Sequence, residues 1–155
     1  MKTFKTLLLL AVTAIFITAC GKDEEPEPII VEDGTYIGAM TVYSTVGGPV
    51  LHIQEGVTIK IKNGIGGTMD IEMQQVQFAP NMPVKIDMTI PGITSQVTTT
   101  EYALSGNDII PLALGGPFPQ YTIKDFEGTL TSQNAIFSMI CGVFPLSFEG
   151  TKVVE

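Results

Sequence analysis

The segment Val57-Thr58-Ile59-Lys60-Ile61-Lys62, the linker Asn63-Gly64-Ile65-Gly66-Gly67 and the segment Met69-Asp70-Ile71-Glu72-Met73 decide the fold class. Both flanking runs alternate apolar and polar residues with a period of two. That is the period of a β-strand with one face buried. The Gly-rich linker is a turn, so the three pieces predict a hairpin. Matching the apolar faces sets Ile61 opposite Met69, Ile59 opposite Ile71 and Val57 opposite Met73. The polar face then sets Lys60 opposite Asp70, a cross-strand pair of opposite charge.

The next hairpin repeats the pattern with one irregularity. Val76 and Phe78 are out of phase with Met69, Ile71 and Met73, whereas Val84, Ile86, Met88 and Ile90 alternate cleanly. A turn at Ala79-Pro80-Asn81 pairs Phe78 with Met82 and Val76 with Val84. One extra residue at Gln74-Gln75 then restores Met73 opposite Ile86 and Ile71 opposite Met88. This is the pattern of a β-bulge, which bends a strand and raises its twist. Together the two hairpins nominate an interior of Val57, Ile59, Ile61, Met69, Ile71, Met73, Val76, Phe78, Met82, Val84, Ile86 and Met88.

Strands are also expected at residues 35–43, 97–104, 121–131, 135–143 and 146–153. Pro91-Gly92 reads as a turn. Residues 109–114 form a short run interrupted by Pro111, which suits an edge. No helical period extends over ten residues. About eight short strands with regular turns make an all-β domain, a barrel or a sandwich.

The first residues have a different character. Lys2 and Lys5 precede an apolar run of 13 residues, from Leu7 to Ala19. A membrane-spanning helix needs roughly 20. A short basic start, a short apolar run and small residues predict a secretory signal. Ile17-Thr18-Ala19-Cys20 resembles a bacterial lipobox. The resemblance implies cleavage between Ala19 and Cys20, with diacylglycerol and palmitate-like acyl chains on Cys20. Gly21-Lys22-Asp23-Glu24-Glu25-Pro26-Glu27-Pro28 follows, acidic and broken by proline, as in a disordered, extended tether. Lys22-Asp23-Glu24 is similar to a surface-export signal of some Gram-negative lipoproteins. The expected organisation is a signal peptide at 1–19, a lipidated acidic tether at 20–33 and a barrel domain at 34–155. The expected location is the bacterial outer membrane, with the periplasmic side and the cell surface both open.

Composition excludes several functions. The chain has 155 residues, 16 acidic and 8 basic, and every basic residue is lysine. Nucleic acids are held by basic side chains, and their base edges are most often read by arginine, so none is expected as a partner. One histidine, two cysteines and no tryptophan leave little for a zinc site or a sugar-stacking platform. After cleavage at Cys20 the chain keeps six lysines against sixteen acids. Six of those acids lie between Gly21 and Asp33.

Two segments carry a family resemblance. Asp33-Gly34-Thr35-Tyr36-Ile37-Gly38 resembles the Gly-x-aromatic opening of the first calycin strand. Phe144-Pro145-Leu146-Ser147-Phe148-Glu149-Gly150 is similar to the last strand of the calycin-like domains of bacterial lipoproteins. The resemblance implies an eight-stranded antiparallel up-and-down barrel over most of residues 34–153. Members of that group largely lack a defined activity. Lipocalins proper usually pair an opening tryptophan with an arginine, and this chain has neither. Their ligand mode is therefore not carried over.

No catalytic, metal or cofactor set is marked. His52, the sole imidazole, has no signalled partner and reads as structural. Cys141 lies among apolar neighbours and reads as a small buried hydrophobe. Asp70 and Glu72 share a strand face, as a glycosidase pair could, but they read as a solvated outer wall. Residues 63–67 lack the lysine and helix of a phosphate loop. Asp87 and Asp108 lack calcium-loop spacing. Two functions remain open. One is a barrel that binds a small hydrophobic ligand in its Met-rich interior. The other is a filled barrel that contacts protein or glycan through loops such as residues 115–120.

Overall fold

The computed structural model describes residues 33–154. The expected signal peptide, the cleavage site at Ala19 and Cys20, the lipidation of Cys20 and nearly all of the tether lie outside the described residues. The domain is all-β. Its strands are β1 (Gly34–Tyr43), β2 (Val50–Asn63), β3 (Thr68–Val76), β4 (Ile86–Val97), β5 (Tyr102–Gly106), β6 (Leu112–Ala113), β7 (Gly116–Pro117), β8 (Ile123–Leu130), β9 (Asn134–Cys141) and β10 (Phe144–Lys152). Eight of them pair antiparallel in the ring β1-β2-β3-β4-β5-β8-β9-β10. The β1–β10 pairing closes that ring into an up-and-down barrel. Closure removes the two open edges that a flat sheet would present. The short β6–β7 hairpin adds to the start of β4.

The β2–β3 hairpin forms, with its register two residues from the expected one. Ile61 faces Ile71, Ile59 faces Met73 and Asn63 faces Met69. Lys60 lies opposite Glu72, and Lys62 lies opposite Asp70 and ion-pairs with Glu72. The turn is the cause. Asn63 stays in the strand, where its N–H donates to Asp33 Oδ1 at 2.9 Å. The loop is therefore the tighter 64–67. It is held by the Gly64 N–H on the Thr68 carbonyl, with Gly66 and Gly67 at positive φ. A shift of two leaves every side chain on its expected face.

The bulge at Gln74-Gln75 is present. Pairing jumps between Met73 and Val76, and Gln75 has φ 53°. Flanking strands satisfy its backbone. Asp87 Oδ1 accepts the Gln75 N–H at 2.8 Å, and Gln54 Nε2 donates to the Gln75 carbonyl at 2.7 Å. Beyond the bulge Val76 faces Ile86, not Val84. Val84 lies in the following loop and is 61% exposed, against its expected interior place. Phe78 leaves the strand to plug the barrel, and Gln77 Nε2 folds the loop back onto the Met82 carbonyl at 2.9 Å. That geometry carries Val84 outward.

Pro91-Gly92 is not a turn. β4 runs through it to Val97, and the expected strand at 97–104 is divided between the end of β4 and β5. A bulge needs no ladder donor at the proline, so Pro91 is tolerated inside the barrel wall. Gly92 takes φ 71° and donates its N–H to Asp70 Oδ1 at 2.8 Å. Asp70 on the outer wall thus holds a neighbouring strand in shape.

The interior is apolar throughout, with no buried polar or charged residue among those described. Phe126, Phe137 and Phe148 stack across β8, β9 and β10 with centroids 5.2 and 5.1 Å apart. Met40, Met69, Met73, Met88 and Met139 belong to the same buried cluster. Tyr36 closes one end, its hydroxyl donating to the Thr131 carbonyl at 3.2 Å.

Candidate functional site: the loop end of the barrel

Antiparallel strands in even number bring both chain ends to the same rim. Asp33 and Val154 lie there with the tight turns 64–67, 98–101 and 131–133. The longer connections 44–49, 77–85 and 107–122 and the turn 142–143 lie at the other rim. The loop end is closed from within by aromatic rings. Phe78 lies 5.2 Å from Tyr121 and 5.9 Å from Phe144, and Phe118 lies 5.0 Å from Tyr121, centroid to centroid.

Above this plug the loops show apolar side chains to solvent. Leu114 is 74% exposed, Val143 79% and Val46 73%, and Val50, Ile110 and Leu112 are also exposed. Those loops carry two charged residues, Lys85 and Asp108. Exposed apolar side chains also occur at the opposite rim, at Ile65 and Val154, but those of the loop rim have little charge between them.

Leu114 gives the most specific observation. It and Gly115 form the two-residue turn between β6 and β7, because Ala113 pairs with Gly116. Their φ values are 52° and 89°. A turn with both central residues at positive φ ordinarily takes Asn-Gly or Asp-Gly. A leucine held there costs about 1 kcal/mol, and its side chain points at water without packing in return.

The candidate interior residues are placed as follows. Val57, Ile59, Ile61, Met69, Ile71, Met73, Val76, Phe78, Ile86 and Met88 are all buried in one cluster, and Met82 is half-buried against it. They therefore sit together as wall and plug of the barrel interior. Three surface depressions of about 480, 590 and 550 Å³ lie outside it: at the rim around Gly34, on the wall over Gly128, and on the wall between Ile37 and Ile136. The exposed loop residues were not singled out by alternation, because alternation describes strands. The charge-poor composition of residues 107–122, around the Leu-Gly pair at 114–115, was the available signal.

The remaining chemical candidates are dispersed. His52 lies on β2 opposite Val42, half-buried, and its Nε2 has no hydrogen-bond partner among the described residues. Among the described residues no three His, Cys, Asp or Glu side chains gather as metal ligands would. Cys141 is fully buried, with Sγ 3.8 Å from the Tyr121 carbonyl. Burial pushes its thiol from an ordinary 9.0 up to about 12.

Two consequences follow for Cys141. It should resist thiol reagents in the native state and react only on unfolding, since the thiolate is the nucleophile. Its raised pKa also means that the unfolded chain loses this proton first. Stability should fall as pH rises from about 9 towards 12. Burial raises Tyr36 as well, which adds to the same loss above pH 10. Denaturation midpoints in alkaline buffers should show a shallower decline for Cys141→Ala. An identical slope in the variant would show that the thiol does not contribute.

No protein-family model, curated protein or solved structure matches this chain.

Proposed function

We propose that the chain is a non-catalytic, lipid-anchored lipoprotein of the bacterial outer membrane, with a calycin-like barrel that meets a protein partner through its loop end. The basic start, the apolar run and the lipobox-like Ile17-Thr18-Ala19-Cys20 support the anchor. The position of the termini supports the orientation: an anchor preceding Gly34 leaves the loop rim as the far pole. The observation that carries the partner reading is Leu114, held at positive φ on a hairpin tip beside other exposed apolar side chains. A small hydrophobic ligand in the barrel is the alternative. It would have to share the interior with the Phe126-Phe137-Phe148 column.

Site-specific photo-crosslinking in cells tests the reading on the full chain. A photoreactive residue at Leu114 or Val143 should give one discrete adduct. The same residue at Ser105 on the wall should give none. A photoreactive residue at Val46 should give the same adduct, and Leu114→Asp with Val143→Asp should abolish it while stability stays within about 0.5 kcal/mol of the parent, as for most exposed substitutions. Equal adducts from Ser105 and Leu114, or none at the loop end, would count decisively against it.

A further inference from the structure

The ring closes along most of its height, and the start of β2 is where it stays open. β1 runs beside β2 from Val50 to Ile61, whereas β3 joins it only from Thr58 onward. Near Gly56 and Gln75, both at positive φ in bulges, the two strands part. The side chain of Gln54 spans the gap. Its Oε1 accepts the Gln77 N–H at 2.9 Å, and its Nε2 donates to the Gln75 carbonyl at 2.7 Å. Among the described residues, no backbone hydrogen bond links residues 50–56 to the connection 77–85.

In an antiparallel ladder, successive residues turn their N–H and C=O groups alternately to one neighbour and the other. With β1 on one side only, every second residue of 50–54 offers unpaired backbone groups. The devices that usually guard such an edge are missing. Residues 50–54 hold no lysine and no proline, and Val50 and Ile53 favour extended chain. His52 and Gln54 lie opposite the buried Val42 and Met40, so they face inward, and Ile53 faces out. Val50, Leu51 and Ile53 are all exposed. The first charge that follows is Glu55, exposed and without an ion-pair partner among the described residues.

We propose that residues 50–54 accept an extended segment of the partner as an added antiparallel strand, which deepens the loop-end reading above and rests on it. The edge itself defines that segment. Open backbone groups require an extended chain with its own N–H and C=O groups free. Val50 and Ile53 favour apolar, β-branched residues opposite them. Glu55 favours a lysine or arginine at the segment's N-terminal end, because an antiparallel strand begins opposite the far end of its neighbour. Main-chain bonds supply the affinity and the side-chain positions the selectivity. Val46 continues this edge into the exposed apolar loops, so one partner covers both.

Amide exchange of the full-length protein, free and in the adduct formed through a photoreactive residue at Leu114, tests the added strand. Alternate amides within 51–54 should exchange at least about tenfold more slowly in the adduct. Val50→Lys with Ile53→Lys should cut the adduct yield at least about tenfold, since charge on an edge blocks strand addition. Val50→Thr with Ile53→Thr keeps uncharged strand formers and should retain most of the yield. Glu55→Lys should lower it about threefold, as for an exposed ion pair. Amides of the β8–β9 pair report whether each variant still folds. An adduct at Leu114 with unchanged exchange at 51–54 would overturn the added strand and leave the loop-end reading standing, whereas no adduct at all would overturn both. A dimer of the purified chain in sedimentation, dissociated by Val50→Lys with Ile53→Lys, would also overturn it, assigning the edge to a second copy.

Discussion

Gly38→Val should destabilise the barrel by about 3 kcal/mol or more, the upper range for overpacking, and lower its thermal midpoint by roughly 10 °C. Gly38 lies opposite Gly150 where β1 and β10 close the ring. A Cβ at Gly38 would stand 2.0 Å from the Glu149 carbonyl oxygen and 2.4 Å from the Gly150 Cα. Both obstacles are backbone, so no rotamer change relieves them, and the two strands must separate. Gly150 is similarly constrained, because its own Cβ would meet the Phe148 ring at 2.5 Å. The closing seam is therefore a glycine pair that lets an aromatic ring lie against bare backbone. Neither position has a positive φ, so the cost arises from proximity and not from dihedral strain. Gly116→Ala is the control: its Cβ meets nothing within 4 Å, and it should be close to neutral. Urea denaturation of both variants decides the point. A Gly38→Val midpoint equal to the parent's would mean that the seam has slack.

Phe137→Ala should cost about 3–5 kcal/mol, the usual range for removing a buried aromatic ring. Phe137 is 2% exposed and stands between Phe126 and Phe148, so its removal breaks both ring contacts at once. The void would be lined by apolar side chains, and apolar voids of this kind stay dry and take up small apolar molecules. Benzene should therefore raise the thermal midpoint of the variant and leave that of the parent unchanged. This pair of measurements also discriminates the two readings of the interior. A parent midpoint raised by benzene would show that the barrel already has room, and the filled-barrel reading would be lost. Phe118 offers a contrast. It is only half-buried at the loop end, so Phe118→Ala should cost less than Phe137→Ala.

The strand faces were legible in the sequence because side-chain alternation is a local property with a period of two. Val57, Ile59, Ile61, Met69, Ile71 and Met73 are all buried, as alternation requires. The bulge at Gln74-Gln75 was legible for the same reason: a phase break between two alternating sets has one economical explanation. Register was not legible. The choice between a five-residue and a four-residue turn after Lys62 depended on Asp33, some thirty residues upstream, which accepts the Asn63 N–H. Pro91-Gly92 misled because proline and glycine punctuate turns and bulges alike. The difference here lies in Asp70, on the neighbouring strand, which receives the Gly92 N–H. Val84 misled because its alternation with Ile86 continues past the point where the strand ends.

The sequence by itself determined an all-β domain and the inward face of the alternating segments at residues 57–61 and 69–73. It could do so because alternation, charge and residue type act locally. The tertiary structure alone decided the registers, the closure of β1 on β10 and the gathering of separate loops at one pole. Those outcomes depend on contacts between residues far apart in the chain. Leu114, Val143 and Val46 lie at one rim only because eight antiparallel strands return to it. Lys60 and Lys152 share a groove beside Gly34 for the same reason, since closure brings the last strand back to the first.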